Sequence, residues 1–383
     1  MEDYFINIDD VREIVSYSRD WTVETLISQI QQGNIDASPK FQRRNVWTDE
    51  RRSTLIESVY LNYPIPSIVL AEKSDEKGHF YVVDGKQRIS TLHGFVHAES
   101  NIWKNSKLQG LKICKHYNGK TFKELKKDNL FVKIFLNQPI RVEILKNVPN
   151  NNILYDIFYR LNTNATELST QDLRQVLFKG EFTNYLINKM DSITSDKPLL
   201  LHKVLSMPAP DPKREDDEIV LRFLGNYFYG SFQIGSLKDF LDITIQKLNS
   251  DWNSNEHKIL QAIDLIDESI EKLKRVFKLA DNTQSLFEDN LLKKIGRIKA
   301  DTAPNKALFE VQTYAFAHIA KDVINYHNSS KFVEEQRKIL DSSHPFYKTI
   351  TQGTNSHYKQ RFKMFIDMTN NCFGSKIPYP YEN

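Results

Sequence analysis

The sequence predicts an α+β N-terminal half followed by an all-helical C-terminal half. Short β-like runs alternate with amphipathic helices up to about residue 180, whereas beyond it apolar residues recur almost wholly at spacings of three and four. The length of 383 residues suits two or three domains of ordinary size. The expected division is 1–180 and 181–383. The boundary is sought within 181–215, because Met207-Pro208-Ala209-Pro210-Asp211-Pro212 has the composition of a linker.

Thr22 precedes the amphipathic run Val23, Leu26, Ile27 and Ile30, so its hydroxyl is placed to cap a helix ending near Gly33. Residues 35–47 read as an extended segment carrying Pro39, Gln42, Arg43 and Arg44. Thr48, with Glu50 nearby, caps a helix through Leu55, Ile56, Val59 and Tyr60 that Pro64 and Pro66 prevent from continuing. Two strands follow, 67–71 and 80–83, joined by a polar hairpin loop over 73–78. At Asp84 the pattern turns abruptly into a helix with Ile89, Leu92, Phe95 and Val96 on one face. Residues 139–145 alternate as a strand, and Ile153, Ile157, Phe158 and Leu161 mark a helix. Ser169 with Asp172 makes a capping box for a further helix ending at Gly180. The C-terminal half carries helical stretches over 219–229, 237–248, 257–279, 307–326, 331–340 and 357–373.

Composition removes several function classes. Glycine is scarce, 13 residues in all, about half of ordinary usage. No two glycines stand one residue apart, which excludes the dinucleotide fingerprint and the kinase glycine loop. Gly225/Gly230 and Gly230/Gly235 have the outer spacing of a Walker loop but lack its lysine. With 52 Lys and Arg against 49 Asp and Glu the net charge is only +3, so any nucleic-acid surface has to be local. Two cysteines, Cys114 and Cys372, are too few for a disulfide framework and fit a reducing compartment. No apolar run reaches membrane-spanning length, and the expectation is a cytoplasmic protein without a membrane partner.

Asp84-Gly85-Lys86-Gln87-Arg88 stands where a strand passes into a helix, which is a recipe for holding phosphate. The helix N-terminus offers N–H groups and the positive end of a dipole, Gly85 permits close backbone approach, and Lys86 and Arg88 add cationic donors. Arg88 can grip phosphate bidentately; Asp84 would hold magnesium or orient water, and Gln87 would bond a phosphate or base. The plainer alternative is a tight turn in which Asp84 caps the helix and the cations are solvated.

Further blocks accompany this turn. Val83-Asp84-Gly85-Lys86-Gln87-Arg88-Ile89-Ser90-Thr91-Leu92 resembles the Asp-Gly-Gln-Gln-Arg turn, with its Thr-Leu helix, of the N-terminal domain of GmrSD-type modification-dependent restriction endonucleases, a ParB/sulfiredoxin-related family. Phe41-Gln42-Arg43-Arg44-Asn45-Val46-Trp47 is similar to the family's Gln-Arg…Trp segment, and Leu55-Ile56-Glu57-Ser58 with Tyr63-Pro64-Ile65-Pro66 to its helix and strand entry. Phe158-Tyr159-Arg160-Leu161-Asn162-Thr163 and Leu168-Ser169-Thr170-Gln171-Asp172-Leu173-Arg174 resemble its later blocks, in the same order. Similarity in the second half is weaker, as over 214–223.

The resemblance implies a ParB/sulfiredoxin-like domain that binds and hydrolyses a nucleoside triphosphate with Mg2+, senses DNA and controls an effector nuclease or other defence subunit. A DNA-recognition subunit that binds nucleotide without turnover, or a ParB-like nuclease, is the alternative. Carried over by position, Asp84, Gln87 and Arg88 form the catalytic centre, with Asp84 as the metal ligand. Gly85, Lys86 and Thr91 belong to the phosphate site, Gln42 and Arg43 face it, and Asn162 closes the pocket. Lys86 departs from the family's usual glutamine, adding a charge and leaving base preference open. The family's fused histidine-type nuclease signature is not found among the ten histidines, so cleavage by this chain alone is not expected.

Weaker signals lie outside these blocks. Residues 104–133 hold nine lysines against Glu124 and Asp128, a local charge of +7, interleaved with Trp103, Tyr117, Phe122, Phe131 and Phe135. Lys112, Lys115, Lys120, Lys123, Lys126 and Lys127 are the candidate DNA contacts, with the aromatics available to stack on bases; a solvated charged face is the alternative. His93 and His97 have metal-compatible spacing but lack a third ligand, which favours a satisfied helix-face pair. Cys114-Lys115-His116 reads as structural. The apolar stripe over 257–279 reads as packing within its own domain rather than as a partner-docking face.

Overall fold

A computed structural model describes residues 12–35, 47–100, 103, 106–162, 170–230, 236–281, 288–299, 301–352 and 356–382. The chain divides into two compact units, Met1–Leu177 and Phe178–Asn383.

The first unit is α+β and is organised by a four-stranded sheet in the order β1-β4-β2-β3, with β1 Val15–Thr22, β2 Ile68–Glu72, β3 Phe80–Asp84 and β4 Pro139–Lys146. β2 and β3 form the expected antiparallel hairpin, β2 runs parallel to β4, and β4 pairs antiparallel with β1. β1 is an element that the run of helix signals starting at Thr22 obscured. Its Tyr17 and Trp21 lie against the main core and supply the period of two.

Helices α1 Val23–Gln31, α2 Asp49–Tyr60 and α3 Lys86–Val96 contribute Leu26, Ile56, Leu92 and Phe95 to that core. Thr22 and Thr48 cap α1 and α2 as the sequence indicates, accepting from Thr25 N at 3.0 Å and Arg51 N at 3.3 Å. Helices α4 Phe122–Leu125 and α5 Asn129–Leu136 close the same core with Phe122, Phe131 and Phe135. Helix α6 Asn151–Asn162 packs Leu154 and Ile157 with Val69 and Val83 in a second cluster, and α7 Thr170–Leu177 ends the unit.

The second unit is helical: α8 Glu181–Asp191, α9 Leu200–Leu205, α10 Glu215–Tyr229, α11 Leu237–Ala280, α12 Glu288–Leu292, α13 Lys306–Ala317, α14 Tyr326–Ile339, α15 Pro345–Thr351 and α16 Ser356–Phe373. Three sequence expectations change here. The stretches 237–248 and 257–279 are one 44-residue helix, because the polar residues between them include no proline or glycine to break it. The stretch 307–326 stops at Ala317, and Asn325 starts a new helix by accepting from Asn328 N at 3.0 Å. Residues 207–212 are no linker, since they lie inside the second unit, where Asp211 is buried and accepts from Glu215 N at 2.7 Å. Ile263, Ile266, Ile270 and Leu273 of α11 are buried, in keeping with internal packing of that stripe. Among the described residues no helix is long and apolar enough to cross a membrane.

Candidate functional site: the strand-to-helix turn at Asp84

Strand β3 ends in a register shift. Val69 pairs with Asp84 while Leu70 pairs with Val82, which leaves Val83 as the extra residue of a bulge. A bulge increases local twist and re-aims the side chain beside it. Here that side chain is Asp84, on an edge strand.

Gly85 then adopts φ 93° and ψ 10°, the left-handed region, and α3 begins at Lys86. Glycine is required twice over. A Cβ at this position would lie 2.9 Å from Ile68 Cγ1 and 3.3 Å from Ile68 Cα, and would also crowd Arg88 Nη2 at 3.2 Å. Having no side chain, Gly85 supplies no cap, and no acidic residue stands in the first turn of α3. The N-terminal N–H groups therefore keep the positive end of the helix dipole uncompensated by a helix side chain.

The carboxylate of Asp84 has both oxygens engaged. Oδ1 accepts from Gly85 N at 2.6 Å and Oδ2 from Arg88 Nη2 at 2.8 Å. Arg88 Nη2 also donates to the carbonyl of Ser67 at 3.0 Å, while the buried Nε of Arg88 has no acceptor. The pair is partly sheltered, with the Arg88 side chain 13% and Asp84 29% exposed. Lys86 is 6% exposed. The solvated-cation alternative for this turn is thus set aside: Lys86 is buried and Arg88 is anchored.

The other expected members of the site fare differently. Gln87 is half-buried on the first turn of α3. Thr91 is fully buried and its hydroxyl donates to Gln87 O at 2.7 Å, so it braces the helix from within and offers no donor toward a phosphate. Asn162 is the last residue of α6, the helix that packs against β3 through Val83. Gln42, Arg43 and Ser169 lie outside the described residues.

The Asp84 carboxylate is a crowded ligand for a metal ion: each oxygen already accepts a hydrogen bond and Oδ2 lies against a guanidinium, so a cation there has to share the oxygens with these donors. Among the described residues no group of three or more His, Cys, Asp and Glu side chains is arranged to hold a metal. That includes His93 and His97, whose rings lie 5.1 Å apart. Burial, followed by the neighbouring His97, holds the His93 imidazole below its usual pKa despite the opposing pull of Glu99. The pair is not fully satisfied, because His93 Nδ1 is buried without a partner.

In the lysine-rich segment the structure separates the charges from the rings. All six candidate lysines are exposed, whereas Trp103, Tyr117, Phe122, Phe131 and Phe135 are core residues at most 7% exposed. These five rings therefore do not form the expected stacking platform: they pack within the core, as Phe131 does on Tyr60 with centroids 4.8 Å apart. Both acids of the segment are consumed by the fold. Glu124 forms a capping box with Thr121, and Asp128 caps α5 while accepting from Tyr117 Oη at 3.2 Å.

Glu57, reaching in from α2, accepts from the N–H groups of Lys112, Ile113 and Cys114 at 3.3, 2.9 and 2.7 Å. These bonds outweigh the desolvation that would raise its pKa, and hold it below the usual carboxylate range. Burial, reinforced by Glu57, pushes the Cys114 thiol up, in line with a structural cysteine.

One cluster was invisible in the sequence. In the second unit Arg214, fully buried and itself at φ 57°, bonds Asp217 at 3.0 Å and Asp191 at 3.2 Å. His202 bonds Asp216 at 3.1 Å beside it. The charged run Arg214-Glu215-Asp216-Asp217 was the available signal, and it reads as surface until Arg214, Asp216 and Asp217 are all seen to be buried where the helix starts.

Residues 23–179 match a family described as the GmrSD restriction endonuclease, N-terminal domain. No curated protein and no solved structure matches the chain.

Proposed function

Residues 23–179 are a GmrSD-type N-terminal domain, and from that premise we propose that the protein is a nucleotide-dependent component of a DNA restriction or defence system. The fold of its first unit is of ParB/sulfiredoxin type in this proposal, and its turn at Asp84 binds and hydrolyses a nucleoside triphosphate. The observation that carries the proposal is the convergence at one turn of an uncapped helix N-terminus, a glycine at φ 93° and an anchored, partly sheltered arginine whose side chain is 13% exposed. Lys86 and Gln87, on the first turn of the helix, are proposed to join the phosphate site, together with Gln42, Arg43 and Asn162.

Arg88 and the backbone donors stabilise charge on the transferring phosphoryl group. Arg88→Ala is expected to lower phosphate release from the preferred triphosphate by on the order of 10²-fold, as loss of one preorganised donor does. Release is measured for each of the four ribonucleoside triphosphates with a thermal unfolding control. Undiminished release by a folded variant rejects the proposal. One observation favours the second reading, binding without turnover: Asp84, the expected organiser of water, has both oxygens occupied. Stoichiometric nucleotide binding with no phosphate release establishes that reading instead.

The exposed lysines at 112, 115, 120, 123, 126 and 127 are proposed to touch DNA through its phosphates. With the aromatics buried, the surface suits the backbone of a duplex and not the stacking of unpaired bases. Replacing all six by glutamine is expected to make the salt dependence of duplex binding shallower, by about 0.9 in log–log slope for each phosphate no longer neutralised. Fluorescence anisotropy over a salt series checks this; an unchanged slope removes the segment from the DNA interface.

A further inference from the structure

We infer that Asp84 is a positioning residue for Arg88 rather than a metal ligand, and that the turn binds the phosphate chain without a divalent cation. The inference rests on the nucleotide reading above and goes beyond it by fixing how negative charge is met at the site.

Three features point the same way. The Asp84 carboxylate spends one oxygen on Gly85 N at 2.6 Å, which tightens the turn, and the other on Arg88 Nη2 at 2.8 Å, one helical turn further on. The same Nη2 donates to Ser67 O at 3.0 Å, so both of its N–H groups are taken, one by a carboxylate at the end of β3 and one by a carbonyl just before β2. A guanidinium pinned at one nitrogen cannot sweep its cone of rotamers. Its remaining donors, on Nε and Nη1, are held in a fixed plane, with Nε buried and unpartnered. A cation on Oδ2 would have to displace this guanidinium or sit beside it, and like charges at that distance repel.

The carboxylate also repels an incoming phosphate. Positioning and repulsion act in opposite directions, and this makes the inference testable. If Asp84 merely adds negative charge, Asp84→Asn strengthens anion binding. If it ligates a metal, Asp84→Asn weakens binding only when the metal is present. If it pins Arg88, Asp84→Asn weakens binding with or without metal, and only while Arg88 is there to be pinned.

The experiment titrates inorganic tripolyphosphate and each of the four ribonucleoside triphosphates into the full chain by calorimetry, once in excess EDTA and once in excess MgCl2. Wild type, Asp84→Asn, Arg88→Lys, Arg88→Ala and the Asp84→Asn/Arg88→Ala double variant are compared, and thermal unfolding confirms that each is folded. The amide introduced by Asp84→Asn keeps an acceptor for Gly85 N, so the turn itself is retained.

The expected result is wild-type affinity in EDTA within about threefold of that in magnesium. Asp84→Asn and Arg88→Lys are each expected to lose about tenfold in both media, and Asp84→Asn to add nothing in the Arg88→Ala background. Loss of wild-type binding in EDTA, tighter binding by Asp84→Asn, or additive losses in the double variant overturns the inference while leaving the nucleotide reading intact. Absence of binding by the wild type in both media overturns the nucleotide reading itself, and the inference with it.

Discussion

Arg214→Ala is expected to destabilise the second unit by about 3–5 kcal/mol, the range for removing one partner of a buried ion pair. The side chains of Arg214 and Asp217 are both 0% exposed, and the guanidinium also reaches Asp191. Truncation leaves the Asp217 carboxylate in a medium that cannot solvate it, without the cation 3.0 Å away. Replacing both charges by apolar side chains, Arg214→Met with Asp217→Leu, should recover much of the loss, because the desolvation of both ions is then removed as well. Denaturant unfolding of the three proteins checks this. Equal midpoints for the single and double variants would show that the network is held by something other than this pair.

Gly85→Ala should cost about 2–5 kcal/mol of stability in the first unit: about 1–2 for an L-residue in the left-handed region and about 1–3 for overpacking. The second contribution arises because the new methyl meets Ile68 Cγ1 at 2.9 Å, and Ile68 is fully buried at the start of β2 and cannot withdraw. The proposed phosphate binding should fall with it, since the second-nearest atom to the new methyl is Nη2 of Arg88, at 3.2 Å. The contrast is Gly78→Ala, at a similarly positive φ in the hairpin loop but with nothing within 4 Å of its Cβ. Only the conformational part of the penalty applies there. Chemical denaturation of both variants separates strain from crowding; equal losses would mean that the contact with Ile68 relaxes freely.

Much of the local structure was legible in the sequence because it is set by short-range chemistry. Thr22 and Thr48 announce two helices, and the change from alternation to helical spacing at Asp84 locates the turn. Residues whose roles depend on distant partners were not legible. Val15, Tyr17 and Trp21 alternate as a strand should, but the strand exists because β4 lies beside it, more than a hundred residues later in the chain.

The rings among the lysines could not be told from a stacking surface by spacing. Alternating aromatic and basic residues describe a core-packed amphipathic segment as well as they describe a nucleic-acid groove. At the turn itself the residue types were evident, but their engagement was not. The carbonyl of Ser67 carries no side-chain signature, yet it is what fixes Arg88. Thr91 matched a motif and proved to be a brace.

The strand order β1-β4-β2-β3 also has a consequence for how the chain is made. The hairpin of β2 and β3, with the turn that follows, is complete once residue 96 has emerged, whereas β1, the first of the four strands to be translated, finds its neighbour only when residues 139–146 arrive. Until then Val15–Thr22 trails as an unpaired strand while the core of α1, α2 and α3 gathers beside it. The turn at Asp84 is thus assembled early from local contacts, and the sheet is sealed late by its oldest segment.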